Sequence, residues 1–358
     1  FQFCEDIGAK PLPVVTAGVC CQHAGDSPGR GQEGLPMAEM PDYIQDVLDL
    51  IEWANGPADS KWGAVRAAAG HPAPFGLKYL GVGNEDAITP EFKERFQMVC
   101  EVLKQKHPEI VVIGTAGPFP DGEDFDLGWT FARDQKLAMV DEHYYRAPQW
   151  FWENLHRYDT YDRQGPEVYV GEYAAHDTNR RNTLRSALAE AAGCISFERN
   201  GDVVHLASYA PLLSRRGHTQ WTPDMIYFTA TDVYPSINYQ VQRLFGLNGG
   251  DQLLRGDLVG LPAGRRVITS AVRDSRSGDI IIKVVNGDDQ DISIALALGS
   301  APVGTHQMLA TVLTAETADA ANEDGKPAVA LPVTDQSQVR AQFERVFAAH
   351  SLTILRLH

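Results

Sequence analysis

The sequence predicts an α/β chain: a (β/α)8 TIM barrel lacking about its first two βα units, followed by a C-terminal β-sandwich. Three observations carry this. Apolar, β-rich runs alternate with helical patterns at near-constant spacing over the first two thirds of the chain. Beyond about residue 235 the pattern changes to short strands separated by Gly, Asp, Asn and Pro turns. Only six strand runs of the first kind can be found, where a closed barrel needs eight.

In chain order the runs are "PLPVVTAGV" (11–19), "GLKYLGVG" (76–83), "EIVVIGTAG" (109–117), "LAMVDEHYY" (137–145), "EVYVGEYA" (167–174) and "DVVHLASYAPLL" (202–213). Near-continuous apolar runs of this length are the signature of strands buried on both faces. Lys78, Ile110, Met139 and Val168 mark intervals of 32, 29 and 29 residues, close to the roughly 31 that a barrel of about 250 residues allots to each unit.

Between the second and third runs, Thr89 is a candidate N-cap with Pro90 at the first helical position. Phe92, Phe96, Val99, Cys100 and Leu103 then form one apolar stripe, which ends at His107-Pro108. Residues 1–10 read as the tail of a helix. The later segments "RRVITSAVRD", "GDIIIKVVNGD", "DISIALALG" and "HSLTILRLH" read as sandwich strands. The expected domains are therefore a partial catalytic barrel over 1–234 and a sandwich over 235–358. Residues 54–76 and 315–327, rich in Ala, Gly, Pro and charge, read as surface insertions.

A barrel with an open side would expose strand edges and core. The expectation is a fragment, or one half of a split or processed protein, that folds with a missing N-terminal segment or a companion chain. A homo-oligomer is a further expected partner.

The composition is that of an ordinary globular chain, 44% hydrophobic and 22% charged over 358 residues. The 31 basic and 47 acidic residues give a formal charge of −16, which disfavours nucleic acid and anionic membrane and suits a neutral polymer such as a polysaccharide. No apolar run reaches the ~18 residues of a membrane span. Cys4, Cys20, Cys21, Cys100 and Cys194 show no metal-ligand spacing; the adjacent pair Cys20-Cys21 allows a vicinal disulfide, but small buried thiols are the preferred reading. The cysteines leave the compartment open, with an extracellular or periplasmic setting favoured over the cytoplasm.

Glu85 and Glu172 each end a strand run and stand 87 residues apart, the length of three βα units. The C-terminal ends of barrel strands form the catalytic face. Two carboxyl groups facing each other there suit glycosidic cleavage, in which one protonates the leaving oxygen and the other attacks the sugar or activates water. The cap at Thr89 leaves Glu85 free of capping duty. Asn84, beside Glu85, is a candidate donor to a sugar hydroxyl, or simply a turn residue.

The strand between the two glutamates ends in "VDEHYYRAP". Alternation puts His143 and Tyr145 on one side, opposite Glu142 and Tyr144. If the first pair faces the site, His143 can bond a carboxylate or the sugar, and Tyr145 can hold the spare oxygen of the nucleophile. Trp150, Trp152 and Trp221 are candidates for stacking on sugar, against the commoner fate of filling a core. Gln220 and Asp224 are weaker polar candidates. A metallohydrolase reading of Asp141, His143, Glu172 and His176 is set aside: the sequence lacks a second His one or two residues from His143, and the glutamates account for themselves without metal.

Together, "PFGLKYLGVGNED", "DEHYYRAPQWF", "RYDTYDR", "VYVGEYA", "SYAPLL" and "QWTPDMIYF" resemble the α-L-arabinofuranosidases of glycoside hydrolase family 51 over most of residues 1–250, in order. The resemblance implies a retaining, cofactor-free hydrolase that releases terminal α-L-arabinofuranosyl groups from arabinan, arabinoxylan or arabinogalactan. It implies Glu85 as acid/base on barrel strand four, Glu172 as nucleophile on strand seven, and Asn84, His143 and Tyr145 as sugar-site residues. "GVGNE" stands where the family commonly has "EIGNE". The alternatives are another retaining clan enzyme, a β-xylosidase or endoglucanase, and a non-catalytic carbohydrate-binding fragment.

Overall fold

A computed structural model describes residues 1–22, 31–299, 304–322 and 325–358. The chain divides into two compact units, residues 1–144 with 162–171, and residues 145–161 with 172–358.

Six strands form one sheet in sequence order: β1 (Val14–Val15), β2 (Tyr79–Val82), β3 (Val111–Thr115), β4 (Met139–Arg146), β5 (Glu167–Ala175) and β6 (Val204–Tyr209). Strands β1 to β4 pair in parallel, with Val14 opposite Gly81, Tyr79 opposite Val111 and Ile113 opposite Met139. This is the expected six-strand portion of a TIM barrel, one strand for each apolar run.

The helices of the first unit are α1 (Gln2–Asp6), α2 (Met40–Asn55), α3 (Lys61–Ala68), α4 (Pro90–Lys106) and α5 (Glu123–Asp134). Helix α4 begins as its sequence dictates. The Thr89 hydroxyl accepts from Phe92 N at 3.2 Å, Pro90 occupies the first turn, and the stripe from Phe92 to Leu103 is buried. The segment 54–76 departs from the insertion reading. It folds around Arg66, which is fully buried on α3 and donates to the carbonyls of Trp53, Gly56, His71 and Pro72. Four carbonyl acceptors replace the water a guanidinium loses on burial, which is the condition for keeping such a charge inside.

The second unit contains α6 (Pro148–Glu153), α7 (Leu184–Arg199) and α8 (Ile237–Leu247). It also holds a small sheet of β7 (Leu213–Arg215), β8 (Ile226–Phe228) and β9 (Val233–Pro235) that the sequence pattern does not announce. A six-stranded sheet follows in the order β10 (Gln252–Leu253), β11 (Val267–Arg273), β12 (Ile280–Asn286), β17 (Ser351–Leu357), β14 (Thr305–Thr314) and β15 (Val333–Arg340). A two-stranded sheet pairs β13 (Ile292–Ala297) with β16 (Gln342–Phe347).

One face of the large sheet packs Ile281, Val285, Leu352 and Ile354 against Leu184, Leu188, Ile195, Ile237 and Val241 of α7 and α8. Its other face packs Ile282, Val284, Ala310 and Leu355 with Ile292, Ile294 and Phe343 of the small sheet. Alternate residues of β12 thus serve two cores, which is why all seven of its residues are buried. Trp152 packs against the α7–α8 core rather than standing free. Helix α7 is buried almost all round; its Ala, Gly, Ser and Cys positions keep it thin enough to lie between layers.

No helix is long and apolar enough to cross a membrane among the described residues. All five cysteines are free thiols. Cys100 and Cys194 are buried as expected, but Cys20 and Cys21 are exposed in the loop after β1, where no core surrounds them, and the vicinal disulfide is not formed. The segment 315–327 lies partly outside the described residues.

Candidate active site

Two clusters of polar side chains form at the C-terminal ends of the barrel strands, one in each unit. In the first, His143 is buried on β4 with a carboxylate on each ring nitrogen: Nδ1 lies 2.8 Å from Glu85 Oε1 and Nε2 lies 3.1 Å from Asp141 Oδ2. A doubly protonated ring donates to both carboxylates. A neutral ring protonated on Nε2 donates to Asp141 and accepts at Nδ1 from a protonated Glu85. Both ring nitrogens are occupied by carboxylates, so a cation at His143 would have to displace one of these bonds.

Asp141 also accepts from Gly171 N at 2.9 Å, and its carboxylate occupies the space a Cβ on residue 171 would need. That explains the glycine in "VYVGEYA". Alternation along β4 holds: Glu142 turns to the other side and accepts from Trp129 Nε1 of α5 at 3.0 Å, fully buried.

Glu85 sits in a tight turn past the end of β2. Gly83 has φ +89° and Glu85 itself has φ +55°, a left-handed conformation uncommon for a residue with a side chain. The buried Asp86 carboxylate accepts from Asn84 N at 2.9 Å. Burial pushes the Asp86 carboxyl up to about 7; the Asn84 amide bond opposes this and the Glu85 charge adds to it. The Asn84 residue is exposed.

In the second cluster the Tyr145 hydroxyl donates to Glu172 Oε2 at 2.6 Å. The Tyr145 ring stacks on His176, centroids 5.2 Å apart, and lies 5.4 Å from the Trp221 ring, which is itself 36% exposed and covered by Arg180. His176 Nε2 is buried without a hydrogen-bond partner among the described residues, and burial, then the Arg180 charge, lower the His176 pKa to about 4, so the ring is neutral near pH 7.

Of the other residues expected here, Gln220 lies exposed in the turn between β7 and β8, next to Trp221. Trp150 packs edge-on to Phe151 and under the Arg157 guanidinium. Asp224 is buried, its backbone N–H donating to the Tyr227 hydroxyl. Sequence reasoning missed Gln22 and Gln32, which bond the backbone of residues 85 and 87. It passed over Asp86, although "GNED" carries the signal: a carboxylate two residues after Asn84 can reach back to that residue's amide.

Residues 1–163 match the family description "Alpha-L-arabinofuranosidase 1 domain" and residues 158–351 match "Alpha-L-arabinofuranosidase C-terminal domain". An extracellular exo-α-L-arabinofuranosidase of Streptomyces chartreusis is 46% identical over 272 residues, 76% of this chain and 32% of that protein. Alpha-L-arabinofuranosidase 2 of Arabidopsis thaliana is 29% identical over 97% of this chain and 49% of that protein.

The arabinose-bound structure of the α-L-arabinofuranosidase MgGH51 superposes with a TM-score of 0.85 at 32% identity, covering 99% of this chain and 56% of that one. An arabinofuranosidase structure from Thermotoga maritima shares the fold with a TM-score of 0.74 at 15% identity, over 99% of this chain and 77% of that one. The fold is that of the barrel-type glycoside hydrolases it superposes on. The chain belongs to the α-L-arabinofuranosidases of glycoside hydrolase family 51. It spans about a third to a half of the length of these two curated relatives.

Proposed function

We propose that the protein carrying these residues is a retaining exo-α-L-arabinofuranosidase acting on arabinose-containing poly- or oligosaccharides. Residues 1–234 supply part of its catalytic barrel and residues 235–358 its sandwich domain. The observation that carries the reading is on β4: His143 and Tyr145, alternate residues of one strand, each hold one of the two glutamates, Glu85 past the end of β2 and Glu172 within the C-terminal half of β5. Family membership supports the substrate class, since the relatives and the bound arabinose of MgGH51 concern this sugar.

In this mechanism Glu172 attacks the anomeric carbon, its spare oxygen oriented by Tyr145, while Glu85 protonates the departing oxygen. The resulting glycosyl ester is then hydrolysed by water that Glu85 deprotonates. Glu85 gives a proton to the leaving oxygen in the first step and regains one from water in the second, so the cycle closes without a redox partner. His143, itself held by Asp141, holds Glu85. Asn84, Trp221 and Gln220 contact the sugar or its aglycone, whereas Trp150, packed on Phe151 and Arg157, has no such role in this reading.

Hydrolysis of an aryl α-L-arabinofuranoside by the full-length protein tests the assignment. Glu172→Ala is expected to abolish turnover, and undiminished turnover in that variant contradicts it.

A further inference from the structure

Side chains supply much of the hydrogen bonding of the backbone that presents Glu85, beside the backbone bonds Gly83 N to Val15 O and Thr89 N to Ala87 O. Gln22 Nε2 donates to the Glu85 carbonyl at 2.5 Å, and the same amide lies 3.3 Å from Asp124 Oδ2 at the start of α5, which fixes which way the amide faces. Gln32 forms a two-pronged pair with Ala87, donating to its carbonyl at 2.9 Å and accepting from its N–H at 3.1 Å. Asp86 accepts from Asn84 N, with its Oδ2 lying where a Cβ on Gly83 would stand. Thr89 then caps α4. The peptide units 83–84, 85–86, 86–87 and 87–88 are thus each held by a side chain, Asp86 from within the turn and Gln22 and Gln32 from outside it.

A left-handed backbone is disfavoured at a non-glycine residue and persists only where the surroundings over-determine it. Here the cost falls on one of the two glutamates that the functional reading requires. Relaxation of Glu85 to an ordinary conformation would rotate its Cα–Cβ bond and carry the carboxyl away from His143.

We propose that Gln22, Gln32 and Asp86 are positioning residues that clamp the backbone of residues 84–87 and so aim Glu85 as a proton donor to the leaving group. The inference rests on Glu85 being the acid/base. None of the three needs to touch substrate. Their contribution is geometric, and an error of about 1 Å in a reacting group can cost on the order of 100-fold in rate.

The test is leaving-group dependence in the full-length protein, using Gln22→Leu, Gln32→Leu, Asp86→Ala and Asp86→Asn, with Glu85→Ala in parallel. Dinitrophenyl arabinofuranoside departs without protonation, whereas alkyl or sugar aglycones require it. The clamp predicts that kcat/KM of the Leu and Ala variants falls about 10- to 100-fold for the poor leaving groups. The fall should be less than about threefold for the dinitrophenyl substrate. Asp86→Asn, which keeps an acceptor for Asn84 N, should recover most of the loss.

A merely structural role lowers all substrates alike. A uniform loss, or no loss, in those of the three sites whose variants fold overturns the clamp. If Glu85→Ala itself shows no leaving-group dependence, the acid/base assignment fails and the clamp fails with it. If Glu85→Ala shows the dependence and the clamp variants do not, the clamp alone is wrong.

Discussion

The Tyr145 hydroxyl lies 2.6 Å from Glu172 Oε2, and the Tyr145 ring is stacked on His176. A hydrogen bond to a charged acceptor is worth about 1.5–3 kcal/mol. Tyr145→Phe keeps the ring and its stacking and removes only this bond. The expected outcome is a kcat lowered by about 10- to 150-fold with an unchanged thermal midpoint. An unchanged kcat would show that Glu172 needs no orientation by the phenol.

Gly171 gives a second prediction. The Asp141 carboxylate fills the position of its missing Cβ and accepts its N–H, so Gly171→Ala forces the carboxylate away from both Gly171 and His143. Overpacking of this kind costs about 1–3 kcal/mol. A lower urea midpoint with reduced kcat is expected, and a variant of wild-type stability would contradict the packing.

A third prediction concerns pH. Glu190 is fully buried on α7, one oxygen accepting from Ala175 N at 2.8 Å, with the Asn238 side chain beside the carboxyl. Burial pushes its carboxyl up to about 8. In the unfolded chain the carboxyl ionises near its ordinary value of about 4.3. Between these values the folded state retains a proton the unfolded state has lost. The stabilisation is complete below the lower value and is lost as pH rises through about 8. Glu190→Gln keeps an acceptor for Ala175 N and removes the titration. Relative to wild type, the variant should gain stability between pH 5 and 8, by at most about 1.4 kcal/mol per pH unit, and then level off. A difference in urea midpoint independent of pH would refute this.

The fourth lies in the second unit. Lys283 of β12 is fully buried with its ammonium 2.7 Å from Glu198 Oε2 and 2.9 Å from Oε1. Burial lowers its pKa, and the Glu198 charge opposes that. Removing one partner of a buried pair leaves an uncompensated charge and costs about 3–5 kcal/mol. Glu198→Ala should therefore lower the unfolding free energy by that amount, whereas Glu198→Leu combined with Lys283→Met should recover most of it. Full stability in Glu198→Ala would mean the lysine finds water or another acceptor.

Legibility in the sequence followed the range of the interactions. Barrel strands announce themselves because burial on both faces demands continuous apolar runs, and α4 because its cap and stripe are local. The period of two along β4 sorted Glu142 from His143 before any coordinates. Strands β7 to β9, of three residues each, are too short to carry a period. Residues 54–76 read as a surface insertion because the four carbonyls that hold Arg66 inside come from separate turns. Gln22 and Gln32 reach residues 85 and 87 across 63 and 55 positions, and side chain to backbone bonds over such distances leave no spacing to detect. Trp150 and Trp221 looked alike as aromatics; their neighbours, Phe151 for one and Tyr145 for the other, distinguish them.

The central claim is covalent exchange at Glu172. The direct measurement uses Glu85→Ala full-length protein, in which hydrolysis of the ester is slowed, mixed with dinitrophenyl arabinofuranoside, digested and mapped by mass spectrometry. The account predicts one anhydro-pentose unit attached to Glu172 in the peptide that begins after Arg163. An adduct on any other residue, or a burst of dinitrophenol with no adduct at all, would contradict it.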